Sequence, residues 1–394
     1  MAADDSAKDK FFGLAMENIH VLFAHKETHI LRIEELTPEL HDPRRAGGLG
    51  DQPVEIFDHR TASVREVRLD ELKMNSTPFM NRGWPVAELH WSIAKPAKQH
   101  LAIPFNDRFK QYAPMEPGEF QANLLEGKPP LVFTHRSDYD PIRHIQEKVF
   151  FEIVVKSREL SLTRLPAAEV GVLSRSLPHF SSLEVLDLDQ SQLAGEDAQA
   201  CARALPYSQL KDVKLTRSML GDAEVEALAD GLRGHSALRE LWLSSNRFGD
   251  RGLQALASGL HSHKSLRSLD LSQNTFGDIG SEALGEVLRD MFFLEDLRLI
   301  GNNVSDRGVE ALADGLRGHS ALRELWLSSN RFGDHGLQAL ASALRFHVQL
   351  EVLNLSDNEI GDPGAEALVD TLQYLSNFEE LLLSGNRITE TMIQ

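Results

Sequence analysis

The sequence has 394 residues and a single cysteine, Cys201, which excludes an intramolecular disulfide and a zinc site built on cysteine pairs. It has no apolar run of membrane-spanning length, and VFFEIVV at 149–155 is typical of a buried strand. No apolar segment typical of a signal peptide follows the polar start MAADDSAKDK. We therefore expect a cytoplasmic protein without a membrane span.

Basic residues are also scarce. The 41 lysines and arginines face 59 acidic residues, which gives a formal net charge of −18. The acidity lies mainly in residues 151–394, where 36 acidic side chains face 22 basic ones. Such a balance disfavours non-specific binding to nucleic acid or to anionic membranes, so we expect neither as a partner.

Several sequence motifs of catalysis and ligand binding are missing. The chain contains no G-x-x-x-x-G-K-[ST] loop, no G-x-S-x-G and no H-E-x-x-H. His261 and His263 have no further ligands at metal-binding spacing. We expect no cofactor and no metal.

The chain instead contains a repeat. The 26 residues VEALADGLRGHSALRELWLSSNRFGD occur at 225–250 and again, without change, at 309–334. This offset of 84 residues is three units of 28, the period of an L-x-x-L-x-L pattern. The middle residues of that pattern are Leu186, Val213, Leu241, Leu269, Leu297, Leu325, Leu353 and Leu381, with a degenerate unit at Leu160–Leu162.

Each unit predicts a short strand, a turn and a helix. An asparagine column at the turn can satisfy backbone groups of its own and adjacent units: Asn246, Asn274, Asn302, Asn330, Asn358 and Asn386. Gly-Asp pairs follow, and we expect each aspartate to be the N-cap of its helix. Val225, Leu228 and Leu232 then mark one apolar helix face, which is buried only when units stack.

These residues resemble leucine-rich repeats of the ribonuclease-inhibitor type, which also form the sensor arrays of NOD-like receptors and the body of Ran GTPase-activating proteins. The resemblance covers about 160–394 and implies an α/β horseshoe, or solenoid, of about eight or nine repeats. Parallel strands would line its concave side. The missing phosphate-binding loop excludes a complete NOD-like receptor with its nucleotide-driven switch.

Strand alternation predicts which side chains face the concave groove. The leucines point inward, so their neighbours point outward, and eight of those eighteen neighbours are acidic while two are basic. We expect a protein partner with a basic surface. The candidate binding residues are Asp212, Lys214, Glu240, Trp242, Asp270, Asp296, Arg298, Glu324 and Trp326.

Trp242 and Trp326 are the largest side chains of this set. Exposed tryptophans on a rigid sheet are typical anchors of protein interfaces. The alternative is that both persist from one ancestral repeat, because single exposed apolar residues are common. Lys214 and Arg298 could lie over them as cation–π partners.

Residues 1–150 lack the 28-residue period. Strands are predicted at 20–22, 30–36 and 131–134, helices after Pro85 and from about Ile142, and a loop insertion at 38–78. This alternation predicts a small α/β domain with a parallel sheet, followed by the repeat domain at 151–394.

The segment Arg82-Gly-Trp84-Pro-Val-Ala-Glu88-Leu89 resembles the W-C-x-x-E-L signature of TIR-like domains, with Pro85 in place of the cysteine. The resemblance implies that Glu88 attacks the ribosidic bond of NAD. In the alternative, Glu88 favours the dipole of its helix and pairs with Arg82. Trp84 and Trp91 are predicted core residues.

Three functions follow from these patterns. The first is a non-enzymatic scaffold that binds a protein in its acidic groove, in innate-immune-like or regulatory signalling. The second, by analogy of fold, is a Ran-type GTPase activator, and the third is a TIR-like NAD hydrolase. The oligomeric state is left open. The final repeat ends with SGNRITETMIQ and has no following helix. The chain therefore either closes with a short irregular tail or is truncated, and we favour truncation.

Overall fold

A computed structural model describes residues 30–32, 53–58, 63–68, 100–102, 112–126, 139–205, 209–233, 237–319 and 321–389. The chain divides into two units. One comprises Met1–Lys110 and Pro117–Phe150, and the other comprises Gln111–Glu116 and Phe151–Gln394.

In the first unit the structure describes four strands and two helices. Strands β1 (Ile30–Arg32) and β4 (His100–Ala102) pair in parallel. Strands β2 (Pro53–Asp58) and β3 (Ser63–Arg68) pair antiparallel. The helices are α1 (Pro117–Glu126) and α2 (Tyr139–Val154), the end of which belongs to the second unit.

Two expectations for this region differ from the structure. The stretch 38–78 is not loop throughout, because Val54 pairs with Val67 and Phe57 with Val64 in an antiparallel ladder. Of the strand expected at 30–36, the structure describes residues 30–32, which are a strand. The run VFFEIVV lies almost wholly in α2, where apolar residues at helical spacing are buried: Ile142, Ile145, Val149, Phe150 and Val154.

Other expectations lie outside the described residues. These are the strands at 20–22 and 131–134, the helix after Pro85, and the TIR-like segment with Trp84, Glu88 and Trp91.

In the described part of the second unit, nine parallel strands form one open sheet, ordered as in the sequence from β5 to β13. The strands are β5 (Glu159–Ser161), β6 (Val185–Asp187), β7 (Asp212–Lys214), β8 (Glu240–Trp242), β9 (Ser268–Asp270), β10 (Asp296–Arg298), β11 (Glu324–Trp326), β12 (Val352–Asn354) and β13 (Glu380–Leu382). All pair in register, so that Leu241 is opposite Leu269 and Leu297 is opposite Leu325.

Eight helices alternate with these strands in the described part of this unit. They are α3 (Ala167–Ser176), α4 (Glu196–Ala204), α5 (Asp222–Leu232), α6 (Asp250–Leu260), α7 (Asp278–Leu288), α8 (Asp306–Leu316), α9 (Asp334–Leu344) and α10 (Asp362–Leu372). A 3₁₀ turn at Leu177–His179 follows α3. The predicted α/β solenoid is confirmed, and central strand residues such as Leu241, Leu269 and Leu297 are completely buried.

Buried asparagines connect successive coils. The Asn246 side-chain amide donates to the carbonyl oxygens of Leu243 in its own coil and Leu215 in the previous one, at 2.8 and 2.9 Å. Its Oδ1 accepts from the backbone N–H groups of Ser218 and Leu220, each at 3.0 Å. The role predicted for the asparagine column is confirmed. Each asparagine satisfies turn groups that are buried away from water.

The aspartates are not the N-caps of their own helices, as the sequence suggested. The N-cap is the preceding residue, Gly333 in α9, and Asp334 is the first helical residue. The aspartate of the previous coil accepts at this end instead: Asp306 Oδ1 lies 2.6 Å from the Gly333 nitrogen and 2.9 Å from the Gly336 nitrogen. Asp222, Asp250, Asp278 and Asp334 repeat the arrangement on their next coils.

The same contact explains the glycine two residues after Asp250, Asp278, Asp306, Asp334 and Asp362. A Cβ on Gly336 would lie 2.8 Å from Asp306 Oδ1, closer than real Cβ atoms approach an oxygen. The D-x-G pattern therefore records packing between coils: the aspartate of one coil fits over the glycine of the next.

We expect Asp306→Ala to destabilise the repeat unit by about 1–3 kcal/mol, because two amides at the start of α9 lose a charged acceptor. Urea unfolding of the full chain measures the loss, and amide hydrogen exchange at Gly333 and Gly336 should accelerate. Glu310→Ala, an exposed site on the same helix as Asp306, is the matched control. Equal stability of the two variants would contradict the inter-coil cap.

Histidines occupy a buried position between the helices and the next strands. His263, His319 and His347 are each at most 1 % exposed, and Met291 holds the same position in another coil. His263 Nε2 lies 3.0 Å from the carbonyl oxygen of Leu232 in the previous coil. Burial lowers the pKa of His319, and it lowers the pKa of His347 from 6.5 to about 4, with a smaller contribution from the charge of His319.

These lowered pKa values predict that the folded protein loses stability in acid. The folded-state pKa of His347 lies below its unfolded value, so below pH 6.5 the unfolded chain binds the proton first and stability falls until about pH 4. His347→Met, chosen because Met291 fills the equivalent position, should remove this component, which amounts to about 3 kcal/mol at most. Urea unfolding at pH 7 and pH 4.5 gives the free energy of unfolding of the wild type and the variant. Both contain the same carboxylates, so the titration of these groups affects the two proteins equally. Parallel losses of stability in the two chains would refute the assignment.

Candidate functional site

The first and third residues of strands β5 to β13 form two rows, which we call the strand face. Both rows lie on the side opposite the buried central leucines, and most of their members are half-buried. Hydrogen bonding in register holds the rows straight: Lys214 is opposite Trp242, Trp242 opposite Asp270, and Arg298 opposite Trp326. Outward-pointing side chains are therefore neighbours at the spacing of parallel strands, about 4.8 Å.

Arg298 lies between the two tryptophans. Its guanidinium carbon is 5.7 Å from the ring centroid of Trp242 and 5.4 Å from that of Trp326. Trp326 is on the adjacent strand, whereas Trp242 is two strands away and extends past Asp270. One cation thus joins two indoles that are three strands apart.

Carboxylates fix the three side chains. Arg298 Nε donates to both oxygens of Asp296, at 3.0 and 2.9 Å, and a terminal nitrogen donates to Glu324 Oε2 at 3.0 Å. The same Glu324 oxygen accepts from the indole N–H of Trp326 at 3.0 Å. Hydrogen bonds therefore fix the guanidinium and the Trp326 indole relative to each other.

The first copy of the 26-residue segment contains the equivalent Glu–Trp pair, with a longer hydrogen bond. The indole N–H of Trp242 donates to Glu240 Oε2 at 3.2 Å, which repeats the bond between Trp326 and Glu324. The strand before Trp242 carries Lys214, where the strand before Trp326 carries Arg298. The duplicated residues therefore make the same local pair in different surroundings.

Burial and ion pairing both shift pKa values in this cluster. Burial raises the pKa of Asp296, and the hydrogen bond and charge of Arg298 counter it. The pKa of Arg298 is raised, since its bonds and charge interactions with Asp296, Glu324 and Asp270 outweigh burial. Burial, followed by the charge of Glu240, also raises the pKa of Asp212. The strand face therefore holds like charges close together.

The structure changes some details of the predicted set. Asp270 is only 7 % exposed, because Trp242 and Arg298 flank it, so it supports Arg298 and offers little surface. The tryptophans are half-buried rather than fully exposed. Of the two cations expected over the indoles, the structure places Arg298 there. Lys214 and Asp212 lie on the same face, and the binding role of the whole set remains a prediction.

A comparison with protein-family models gives five matches to a model described as "Leucine Rich repeat", at residues 235–257, 262–285, 291–313, 319–341 and 349–369. Residues 235–369 therefore contain leucine-rich repeats. The matched segments fall within the nine-stranded solenoid, whose α/β architecture agrees with the family. The narrower ribonuclease-inhibitor type, NOD-like and TIR-like resemblances remain predictions.

Solved structures are similar at low identity. An internalin (inlF) from Listeria monocytogenes str. 4b F2365 is 18 % identical, with a TM-score of 0.33, over 61 % of this chain and 84 % of that chain. A chain of the octameric complex of Latrophilin 3, Unc5D and FLRT2 (LRR) is 20 % identical, with a TM-score of 0.31, over 47 % of this chain and half of that one. Comparison with curated proteins finds no match.

The described residues contain no group of three histidine, cysteine or acidic side chains able to hold a metal ion. None of the helices described is long and apolar enough to cross a membrane. Cys201 is buried, which raises the pKa of its thiol to about 12 and keeps it in the unreactive protonated form.

One column of the leucine-rich repeat was not among the predicted site residues. The residue directly before each strand is basic in three successive coils, Lys211, Arg239 and Arg267. The 28-residue period also reveals this column. Because it lies one residue before the strands, however, strand alternation does not predict on which side of the sheet its side chains lie.

We expect Arg298→Ala to release both indoles. The ¹⁹F NMR resonances of 5-fluorotryptophan at Trp242 and Trp326 should shift and broaden, because each ring loses its cation. Trp242→Phe and Trp326→Phe assign the signals, and Glu310→Ala, at an exposed site on helix α8, is the control. If Arg298→Ala left the signal of Trp242 unchanged, the link across Asp270 would be wrong.

Proposed function

We propose that the strand face of this leucine-rich repeat protein binds a protein partner that has a basic surface. The observation that carries the proposal is the cluster of Trp242, Arg298 and Trp326, held in place by Glu324 and Asp296. Tryptophan and arginine are among the side chains most enriched at positions that dominate binding energy.

The order of the cluster favours binding. An anchor that is fixed before association loses little side-chain entropy when the partner arrives. Trp326 is held by its N–H bond to Glu324 and by the guanidinium of Arg298, and both indoles project from strands within a continuous hydrogen-bonded sheet. A broad, rigid surface of this kind suits a folded protein better than a small molecule.

Charge selects the partner. The internal cation Arg298 is already shared between Asp296 and Glu324, so it contributes little net attraction for anions. Further carboxylates lie in the same rows, among them Asp187, Asp212 and Glu240. A partner that presents lysines or arginines would be attracted and oriented by this surface, and its affinity should fall with ionic strength.

We expect the double variant Trp242→Ala with Trp326→Ala to lose the bound partner. Affinity purification with the full chain as bait, quantified by mass spectrometry, compares it with the wild type and with Ile279→Ala. Ile279 is 54 % exposed on helix α7, away from the strand face, and serves as the control.

The double variant should recover at least about tenfold less of the partner than the wild type and Ile279→Ala do. A loss of this size is typical when interface residues that dominate the binding energy are removed. Glu240→Gln with Glu324→Gln, which keeps the acceptors but removes two charges, should weaken the same partner and flatten its salt dependence. Unchanged recovery with both double variants would remove the strand face from the binding site.

A further inference from the structure

A second charged surface lies at the edge of the sheet where the strands begin. Lys211, Arg239 and Arg267 immediately precede β7, β8 and β9, and they line a cavity of about 310 Å³ together with Ala237, Ser265 and Phe293. Their backbones are connected in series: the Arg239 N–H donates to the Lys211 carbonyl, and the Arg267 N–H to the Arg239 carbonyl, each at 2.7 Å. We call this the basic edge cavity.

The three cations differ in their pairing. Lys211 Nζ is 2.9 Å from Glu184 Oε2, and Arg267 pairs with Glu295. Arg239, between them, is exposed and makes no ion pair with any residue that the structure describes. An arginine offers a planar set of N–H donors that matches the oxygens of a carboxylate or phosphate. The central position of the cavity thus presents guanidinium donors that form no ion pair, although the charge of Arg239 acts on the nearby carboxylates of Glu184 and Asp212.

The apolar wall of the cavity is also exposed. Phe293 lines it and is 58 % exposed, and the adjacent Phe292 is 53 % exposed. The equivalent residue of the previous coil is Ser265, so the repeat does not require an aromatic ring at this position. A large aromatic side chain beside an unpaired basic group suits a ligand with both an anionic and an apolar part.

We propose that the basic edge cavity binds an organic phosphomonoester. A phosphoryl group carries about −1.5 to −2 charges and three acceptor oxygens at neutral pH. It can therefore accept from Arg239 and still share Lys211 with Glu184 and Arg267 with Glu295, which a singly charged carboxylate with two oxygens does less well. Arg239 binds the phosphoryl oxygens, Lys211 and Arg267 flank them, and Phe293 packs against the organic part. The phosphoryl group can belong to a modified protein side chain or to a free small molecule. The site is separate from the strand face proposed above.

Isothermal titration calorimetry of the full chain with phenyl phosphate tests the proposal. Phenyl sulfate is the singly charged analogue, and inorganic phosphate lacks the ring. We expect phenyl phosphate to bind at least about tenfold more tightly than phenyl sulfate. Arg239→Ala should weaken it by about tenfold or more, the usual cost of losing charge-assisted hydrogen bonds. Arg323→Ala, at the equivalent position of a later coil and paired with Glu351, is the matched control and should have no effect.

The variant Phe293→Ser distinguishes the contribution of the ring contact from that of the phosphoryl group. It should weaken phenyl phosphate several-fold and leave inorganic phosphate unchanged, because only the ring contact is lost. A phosphotyrosine peptide distinguishes the sources: tighter binding than phenyl phosphate indicates a modified protein, and equal binding indicates a free organic phosphate. The proposal is overturned if phenyl phosphate does not bind, if phenyl sulfate binds equally well, or if Arg239→Ala has no effect.

Discussion

Hydrogen bonds between coils are the interaction on which the repeat domain depends. A single coil cannot satisfy the polar groups of its own turn, because the buried asparagine of the next coil supplies the acceptor and donor, as Asn246 does for Ser218 and Leu215. A single coil also lacks a hydrogen-bond acceptor for the backbone amides at the start of its helix, because the aspartate of the preceding coil supplies that acceptor. Stability is therefore shared between neighbours, as expected for a solenoid.

This coupling has a functional consequence. Because every coil is placed by the previous one, side chains that are 28 residues apart lie next to each other on the sheet in fixed register. The duplicated 26-residue segment places two tryptophans three strands apart, about 14–15 Å at ordinary strand spacing. Arg298, which belongs to neither copy, joins them. The proposed binding cluster thus depends on one residue in the sequence between the copies.

Much of this was predictable from periodicity alone. The strands, the buried leucines, the asparagine ladder and the outward rows follow from a 28-residue pattern, since identical spacing forces identical placement. Contacts between different columns were harder to predict. The aspartate was assigned to its own helix because a cap is normally local, whereas here it acts across coils. Likewise, the burial of Asp270 depends on how far the side chains of Trp242 and Arg298 extend, which spacing does not determine.

The central claim is that Trp242 and Trp326 act as one binding site through Arg298. The most direct test is a double-mutant cycle on the affinity of the partner recovered by affinity purification, measured for the wild type, Trp242→Ala, Trp326→Ala and the double variant. We predict that the two effects are non-additive by more than about 0.5 kcal/mol, since residues that share a partner are coupled. Effects that add within about 0.3 kcal/mol would show two independent contacts and would contradict the claim.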